Sequence, residues 1–472
     1  MTPDASGPDL PTAQQLLALL PADTAALLLG LGAVATDLHL HVWLVGGAVR
    51  DLLLRQQGAT MALPGDFDCA VRADQRSDGD GELPTSGWPP ALALAEAMAC
   101  WCERQGLACD VASFSSYGTA SLQLEGASTP PRIDLATTRK EHYTAPGMNP
   151  TVMLGSPVRP VALLDDLRRR DFSCNAMALS LQDPLAVVFD PFAGWQALQR
   201  KELRLLHGQS LRDDPSRLIR AARYGARFGC RLGPGDRRQA RRTLQQNPWG
   251  DDVPARGSRL GMEVRRLFCP GARRQRDELR DALAHLQQWG GAALLDPALA
   301  DDPTAWRRLC WFERLLSRCP DVVLADPAAL LAWLVPLPEP AAVAQRLQLA
   351  TRTQHLLDQA RLLRTWLPNL DAQAWPASAW SEALEAGAAG PAAATAPLMA
   401  GAVALVLAAG EQTHRRPLLR WLLGWRHLRP PISATVLMAR EGLKPGPALG
   451  QRLQELRHAA LDDDVHGLSG RR

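Results

Sequence analysis

Two aspartates stand one residue apart in "GDFDCAV", residues 65–71, at the head of an apolar run. Side chains alternate faces along a strand, so Asp66 and Asp68 point the same way while Phe67 points into a core. Parallel carboxylates repel each other unless a cation lies between them. On these seven residues alone, a polar turn leading into an edge strand fits as well. What precedes them adds a chemistry. In "HVWLVGGAVRDLLL", residues 41–54, an apolar strand runs into Gly46–Gly47 and a helix begins at about Ala48. Paired glycines let backbone N–H groups approach an anion, and the helix N-terminus adds partial positive charge. Arg50 follows on the first turn. One element would hold a triphosphate, and the next strand a divalent metal beside it. Carboxylates binding Mg²⁺ through oxygen, with phosphates completing the octahedron, are the usual arrangement. Two such ions would activate an attacking hydroxyl and stabilise a departing pyrophosphate.

This order of residues resembles the nucleotidyltransferase head of the DNA polymerase beta superfamily. More specifically, it is similar to the class II tRNA nucleotidyltransferase (CCA-adding) and bacterial poly(A) polymerase family. That family reads approximately GG-x-VRD-x-LL and then D-x-D, and Gly46, Gly47, Val49, Arg50, Asp51, Leu53, Leu54, Asp66 and Asp68 match. Extra residues separate Leu54 from Asp66, where the family usually has a short Gly-Arg turn. "RIDLATTRKEHY", residues 132–143, is similar to the segment between the head motifs, with Asp134, Arg139, Glu141 and Tyr143 in place. "RRRDFSCNAMAL", residues 168–179, looks like RRDFTINAMA, with Ser173 and Cys174 replacing Thr and Ile.

The resemblance implies metal binding by Asp66 and Asp68, with Asp134 as the third carboxylate of the superfamily. It implies triphosphate contacts from Gly46, Gly47 and Arg50, and nucleotide contacts from Arg170, Asp171 and Asn175. An Asp or Asn accepting from a 2′-OH would favour ribonucleotides; Asn175 serves equally well as an amide that stabilises a turn.

"RDDPSRLIRAARYGARFG", residues 212–229, must start a helix, with Asp214 as N-cap and Pro215 at the first helical position. On a helical wheel Arg217, Arg220, Arg223 and Arg227 share one flank, and Leu218, Ile219, Ala222 and Phe228 the other. Arginines in one stripe repel by a few tenths of a kcal/mol per pair, roughly, which calls for an anionic partner. From Arg212 to Arg242 there are ten arginines against three aspartates, which a solvated basic face would also explain. The family's base-reading motif is ED-x-x-R, and "DDPSR" matches it with Asp213 in place of Glu. The resemblance thus implies Asp214 and Arg217 as a protein template, with Arg220 and Arg223 further along toward phosphate or ribose. C and A both present an exocyclic amine beside a ring acceptor, suited to a carboxylate and a guanidinium. U and G offer a carbonyl instead, a mismatch of about 1–3 kcal/mol per lost bidentate contact.

These residues need a scaffold. The candidate strands are "VWLVGG", "DFDCAV", "SLQLEG" and "RIDLAT"; "LALAEAMACWCERQG" and residues 13–36 read as helices. Gly/Pro/Asp-rich inserts at 56–65 and 74–90 read as surface loops. Residues 211–472 read as almost wholly helical, broken near 232–236, 247–257, 334–340 and 388–397. Nine of the fourteen tryptophans lie at or after Trp289 and should fill helix–helix interfaces. The expected fold is α+β: a small mixed sheet with helices as a polymerase beta-like head, then an all-helical neck, body and tail. The expected boundaries are 1–36 for an N-terminal tail and helix, 37–182 for the head, 183–270 for the neck and 271–472 for the body and tail.

The chain has 472 residues, a net charge of +3, and lysine only at Lys140, Lys201 and Lys444. That total says little about partners. Nine scattered cysteines suggest free thiols in a reducing compartment; Cys100 and Cys102 lack a second pair at zinc spacing. The acidic, Pro-rich start is wrong for a signal peptide, and the apolar run 396–410 is short of the ~20 residues a bilayer requires. A soluble cytoplasmic protein is expected. The resemblance implies a Mg²⁺-dependent enzyme adding C and A from CTP and ATP to the 3′ end of tRNA, its body and tail gripping the acceptor arm. A CC-adding or A-adding enzyme, a poly(A) polymerase, or a non-catalytic RNA-binding protein are the alternatives, and the oligomeric state is left open.

Overall fold

The computed structural model describes residues 10–60, 64–74, 88–124, 132–250, 253–268, 273–324, 328–371, 375–385 and 399–463. The N-terminal tail, most of the insert at 74–90, part of that at 56–65 and the break at 388–397 lie outside them. The chain divides into two compact units, residues 1–255 and 256–472.

In the first unit, α1 (Ala13–Leu17) and α2 (Ala22–Asp37) precede β1 (Leu40–Val45), α3 (Gly47–Gln56), β2 (Asp66–Ala73) and α4 (Pro90–Arg104). Then come β3 (Cys109–Phe114), β4 (Thr119–Leu124), β5 (Arg132–Thr137), a hairpin of β6 (Lys140–His142) and β7 (Thr151–Met153), α5 (Leu163–Arg168) and β8 (Ala178–Ser180). Last are α6 (Gly194–Gln199), β9 (Glu202–Leu203), α7 (Ser210–Asp213), α8 (Ser216–Phe228), β10 (Arg231–Leu232) and α9 (Pro234–Gln246). One mixed sheet of six strands runs β3-β4-β5-β2-β1-β8, with β2 and β5 parallel and every other pair antiparallel.

Alternation places β2 as its sequence requires. Phe67, Cys69 and Val71 are buried while Asp66 and Asp68 are exposed. On the aspartate face, Ala70 packs with Leu163, Leu167, Ala176 and Ala178. That core closes one end of the face, and the carboxylates stand at the open end.

Two expectations need correction. The helix expected over 13–36 is two helices: Pro21 lacks an N–H and stands at the N-cap of α2, so the turn before it cannot continue. The neck expected to be all helical contains β9 and β10, a short parallel pair.

Gly32 shows how closely α2 is seated. A Cβ there would lie 2.1 Å from the Leu181 carbonyl oxygen. Gly32→Ala should therefore destabilise the first unit by about 1–3 kcal/mol, the usual cost of overpacking, read as a lower urea midpoint with an unchanged slope.

The second unit is helical in its described residues. Ala400–Ala409, from the uncharged run, has Gly401 to Ala408 buried. No helix among the described residues is long and apolar enough to cross a membrane. Trp289, Trp333, Trp380, Trp421 and Trp425 are buried in this unit. Buried Arg308 donates to Asp302 and to the Ala332 carbonyl, so the unit's interior charge is paired.

Candidate active site

The pairing of β2 with β5 sets the carboxylates. Asp68 lies opposite Asp134 and Asp66 opposite Arg132 in this parallel pair. Arg132 Nε donates to Asp134 at 3.0 Å and to the Ser121 hydroxyl at 3.1 Å, so Asp134 already has a cationic partner. Asp68 is reached by solvent but walled by protein, and that crowding raises its pKa. Arg170 opposes the rise, and the neighbouring charges of Asp134 and Asp66 add to it.

These oxygens suit a hard divalent cation. Among the described residues, no three His, Cys, Asp or Glu side chains converge into a complete metal cage. Magnesium seldom needs one: one or two carboxylates, water and substrate phosphate are its normal shell. Asp66 and Asp68 fit that description. Cys102 is buried and Cys100 exposed, and neither joins a metal-binding cluster among the described residues.

The glycine turn adjoins the carboxylates. Gly46 has φ +75°, and a Cβ on it would stand 2.9 Å from Arg170 Nη1 and 3.8 Å from Asp68 Oδ2. Only glycine meets both demands. Gly47 begins α3. Arg170 Nη2 reaches Asp166 at 3.3 Å, while its buried Nε has no hydrogen-bond partner among the described residues. That buried N–H is a donor in want of an anion, on a guanidinium whose Nη1 adjoins the turn.

Arg50 departs from expectation. It is 3% exposed and turned away from solvent. Asp51 accepts from its Nε at 2.8 Å and its Nη2 at 2.7 Å, Asn175 Oδ1 accepts from Nη1, and the guanidinium lies 4.5 Å from the Phe228 ring centroid and 5.1 Å from that of Tyr224. An adjacent carboxylate and two aromatic faces hold the charge inside the protein. Arg50 braces α3 against α8.

Asn175 also donates to Asp171 Oδ1 at 2.9 Å, and Asp171 pairs with Arg220 at 2.8 Å. Burial alone would raise the Asp171 carboxyl; Arg220 and the Asn175 amide hold it below the usual range. Asp166 behaves alike: burial opposes, and Arg169 with Arg170 depresses it. Asp166, Asp51 and Ser210 were not singled out from the sequence for these roles. The signal for Asp166 was there, an acid three and four residues before two arginines that follow the end of α5.

A pH dependence follows. A carboxyl whose folded pKa lies below its unfolded value of about 3.9 adds stability at higher pH and loses it as pH falls through the folded value. The first unit should hold its stability down to about pH 4 and lose it below. In Asp166→Asn that acid decline should be shallower, measured as urea midpoints from pH 7 to pH 2.

On α8 the structure redistributes the expected arginine stripe. Arg217 is 7% exposed; its Nη1 donates to Ser210 Oγ at 2.6 Å and to the Ser210 carbonyl at 3.3 Å, and its Nη2 to the Arg169 carbonyl at 3.3 Å. Arg220 pairs with Asp171, Arg227 with Asp51 at 3.1 Å, and Arg223 lies 4.7 Å from the Tyr224 ring centroid. For Arg220 and Arg227, the anionic partners that the stripe demands are carboxylates of the same chain. The helix begins at Ser216 rather than Pro215. Asp214 is extended, and its carboxylate accepts from the Ser216 N–H at 3.0 Å, so it caps from one residue further out.

A mixed sheet presenting two solvent-facing carboxylates beside a glycine turn and a partly unsatisfied arginine is the arrangement expected of a nucleotidyltransferase head. Residues 104–204 match the family described as the poly A polymerase head domain. The chain is 36% identical over 256 residues to the CC-adding tRNA nucleotidyltransferase of Deinococcus radiodurans, covering 53% of this chain and 54% of that protein. It is 36% identical over 211 residues to the A-adding tRNA nucleotidyltransferase of Geobacter sulfurreducens, covering 44% of this chain and 20% of that protein. It thus spans about half, or less, of the length of these curated relatives. A structure of a CCA-adding enzyme in an apo form superposes with a TM-score of 0.68 at 22% identity, over 98% of this chain and 97% of that one, and shows the same fold. Through its head, the chain is similar to the class II tRNA nucleotidyltransferases and bacterial poly(A) polymerases.

Proposed function

We propose that this protein is a cytoplasmic, template-independent RNA nucleotidyltransferase that adds C and/or A residues from CTP and ATP to the 3′ end of tRNA, releasing pyrophosphate. One observation supports it above the rest: Asp66 and Asp68 share a face with Arg170 behind Gly46. Two Mg²⁺ ions held by Asp66 and Asp68 would supply an activated 3′-hydroxyl and charge compensation on the leaving group. Asp134, partly neutralised by Arg132, completes the acidic face. The Gly46–Gly47 turn and Arg170 receive the triphosphate, and Arg50 holds that turn's helix from behind. Asp171 and Asn175, fixed by Arg220 and Arg50, would read the ribose. Head, neck, and body with tail remain the division of labour we assign to 37–182, 183–270 and 271–472.

Asp214 and Arg217 read the base in this account. A guanidinium has five N–H donors, and three of those on Arg217 are used by Ser210 and Arg169. The rest remain for a ring acceptor, and the Asp214 carboxylate can accept from an exocyclic amine as well as from Ser216. Asp214→Asn keeps the capping acceptor but adds an amide donor. It should melt normally and incorporate more UTP, by about tenfold for each 1.4 kcal/mol of discrimination lost. An Asp214→Asn enzyme that melts normally and still rejects UTP would leave Asp214 as a cap alone. Relatives of both CC-adding and A-adding name resemble the chain equally. Incubation with tRNAs ending before the CCA, after CC, and with unrelated RNA separates full addition, partial addition and poly(A) synthesis; no addition to any of them overturns the proposal.

A further inference from the structure

Beside the base-reading pair, a groove of about 900 Å³ runs between α7 and α9, and nothing in the reaction above uses it. Its walls carry Arg212, Arg238 and Arg242 with Gln209, Gln239 and Gln246, and none of the described residues lining it is acidic. Arg212, Arg238 and Arg242 are exposed, and none has an ion pair among the described residues. The contrast with α8 is informative. There Arg220 and Arg227 are answered by Asp171 and Asp51. On α9 the acid is Asp236, and it accepts from the Leu205 backbone instead. Arg238 and Arg242 are four apart on one helix, so they repel without an internal counter-charge.

The groove is firmly framed. Gln239 Nε2 donates to the Gly208 carbonyl at 2.6 Å, and the buried Trp249 indole donates to the Arg212 carbonyl at 2.8 Å. These bonds tie the middle of α9 and the segment after it to the chain around α7. Four residues of helix advance about 6 Å, close to the separation of successive phosphates along a strand. No aromatic ring lines the groove among the described residues, so they offer no platform for stacking a base. Guanidiniums and amides are the groups that contact phosphate without reading sequence.

The geometry points to this groove as a seat for the phosphodiester backbone of the RNA being extended, entered from the side of Asp213 and Asp214. The inference rests on the nucleotidyltransferase reading for the identity of the RNA, but its test is separate. The full-length protein and the double variant Arg238→Gln/Arg242→Gln are titrated with a labelled tRNA transcript lacking its terminal CCA, between 0.05 and 0.3 M salt (roughly the range in which phosphate contacts dominate). The variant should lose about 1.4 from the slope of log affinity against log salt, and bind about 20-fold more weakly near 0.1 M, for two contacts to a single strand. Its melting temperature and CTP affinity should be unchanged, and Arg238→Lys/Arg242→Lys should keep the parent slope. An unchanged slope in the Gln variant overturns the groove. So does loss of CTP affinity instead, which would mark a triphosphate site. An equal loss from Arg104→Gln/Arg159→Gln, exposed arginines outside the groove, would reduce the effect to net charge and overturn it too. Failure of the parent to extend the transcript would count against the proposed function while the salt slopes still decide the groove.

Discussion

Asp66→Ala and Asp68→Ala are each expected to lower nucleotide addition by about 10³-fold or more, at saturating metal, with little change in melting temperature. Loss of a metal ligand removes several kcal/mol of transition-state charge stabilisation, and about 1.4 kcal/mol is already a factor of ten. Both side chains are solvent-facing on β2, and neither makes a salt bridge among the described residues. Surface changes away from packed features usually stay within about 0.5 kcal/mol. Single-turnover extension of a labelled tRNA together with a thermal melt reads both quantities. Near-normal turnover by either variant would remove the metal-site assignment.

The largest effect on stability should come from Asp51→Ala. Asp51 is 8% exposed and binds two guanidiniums, Arg50 with one oxygen and Arg227 with the other. Its removal leaves Arg50 charged and buried. Breaking a buried pair from one side typically costs about 3–5 kcal/mol. In a unit of this size each kcal/mol is worth about 2–4 °C, so a fall of roughly 10 °C is expected. Replacing the pair together, Arg50→Met with Asp51→Leu, should cost less than Asp51→Ala alone, because no unpaired charge remains. A double variant as unstable as the single one would show that Asp51 acts through Arg227 rather than Arg50. Calorimetry of the parent and these two variants reads the comparison.

How much of this was legible beforehand depended on whether a residue's neighbours were close in sequence. β1, β2, β4 and β5 announce themselves by apolar runs and flanking glycines, and the aspartate face of β2 follows from alternation alone. β3 did not, because its residues are nearly all exposed and carry no apolar alternation. β8 is only three residues long. Motif order pointed to Arg50 and Arg217 but not to their burial, since Asp51 closes on Arg227 across 176 residues and Arg217 finds the Arg169 carbonyl across 48. A helical wheel gives a direction from the axis, not the partner that waits there. For that reason the arginine stripe read from sequence as a surface for an outside anion, while two of its members are answered from within.

The place of β2 in the sheet has a consequence for how the molecule breathes. It has β1 on one side and β5 on the other, with β8 beyond the first and β4 and β3 beyond the second. β3 is an edge with Val111 and Phe114 open to water. Local opening begins where few contacts must be broken, so backbone amides should exchange with deuterium earliest along the exposed edge β3 and last along β2. The strand holding the two aspartates would then report the free energy of global unfolding, while its neighbours at the rim open and close many times within the lifetime of one folded molecule.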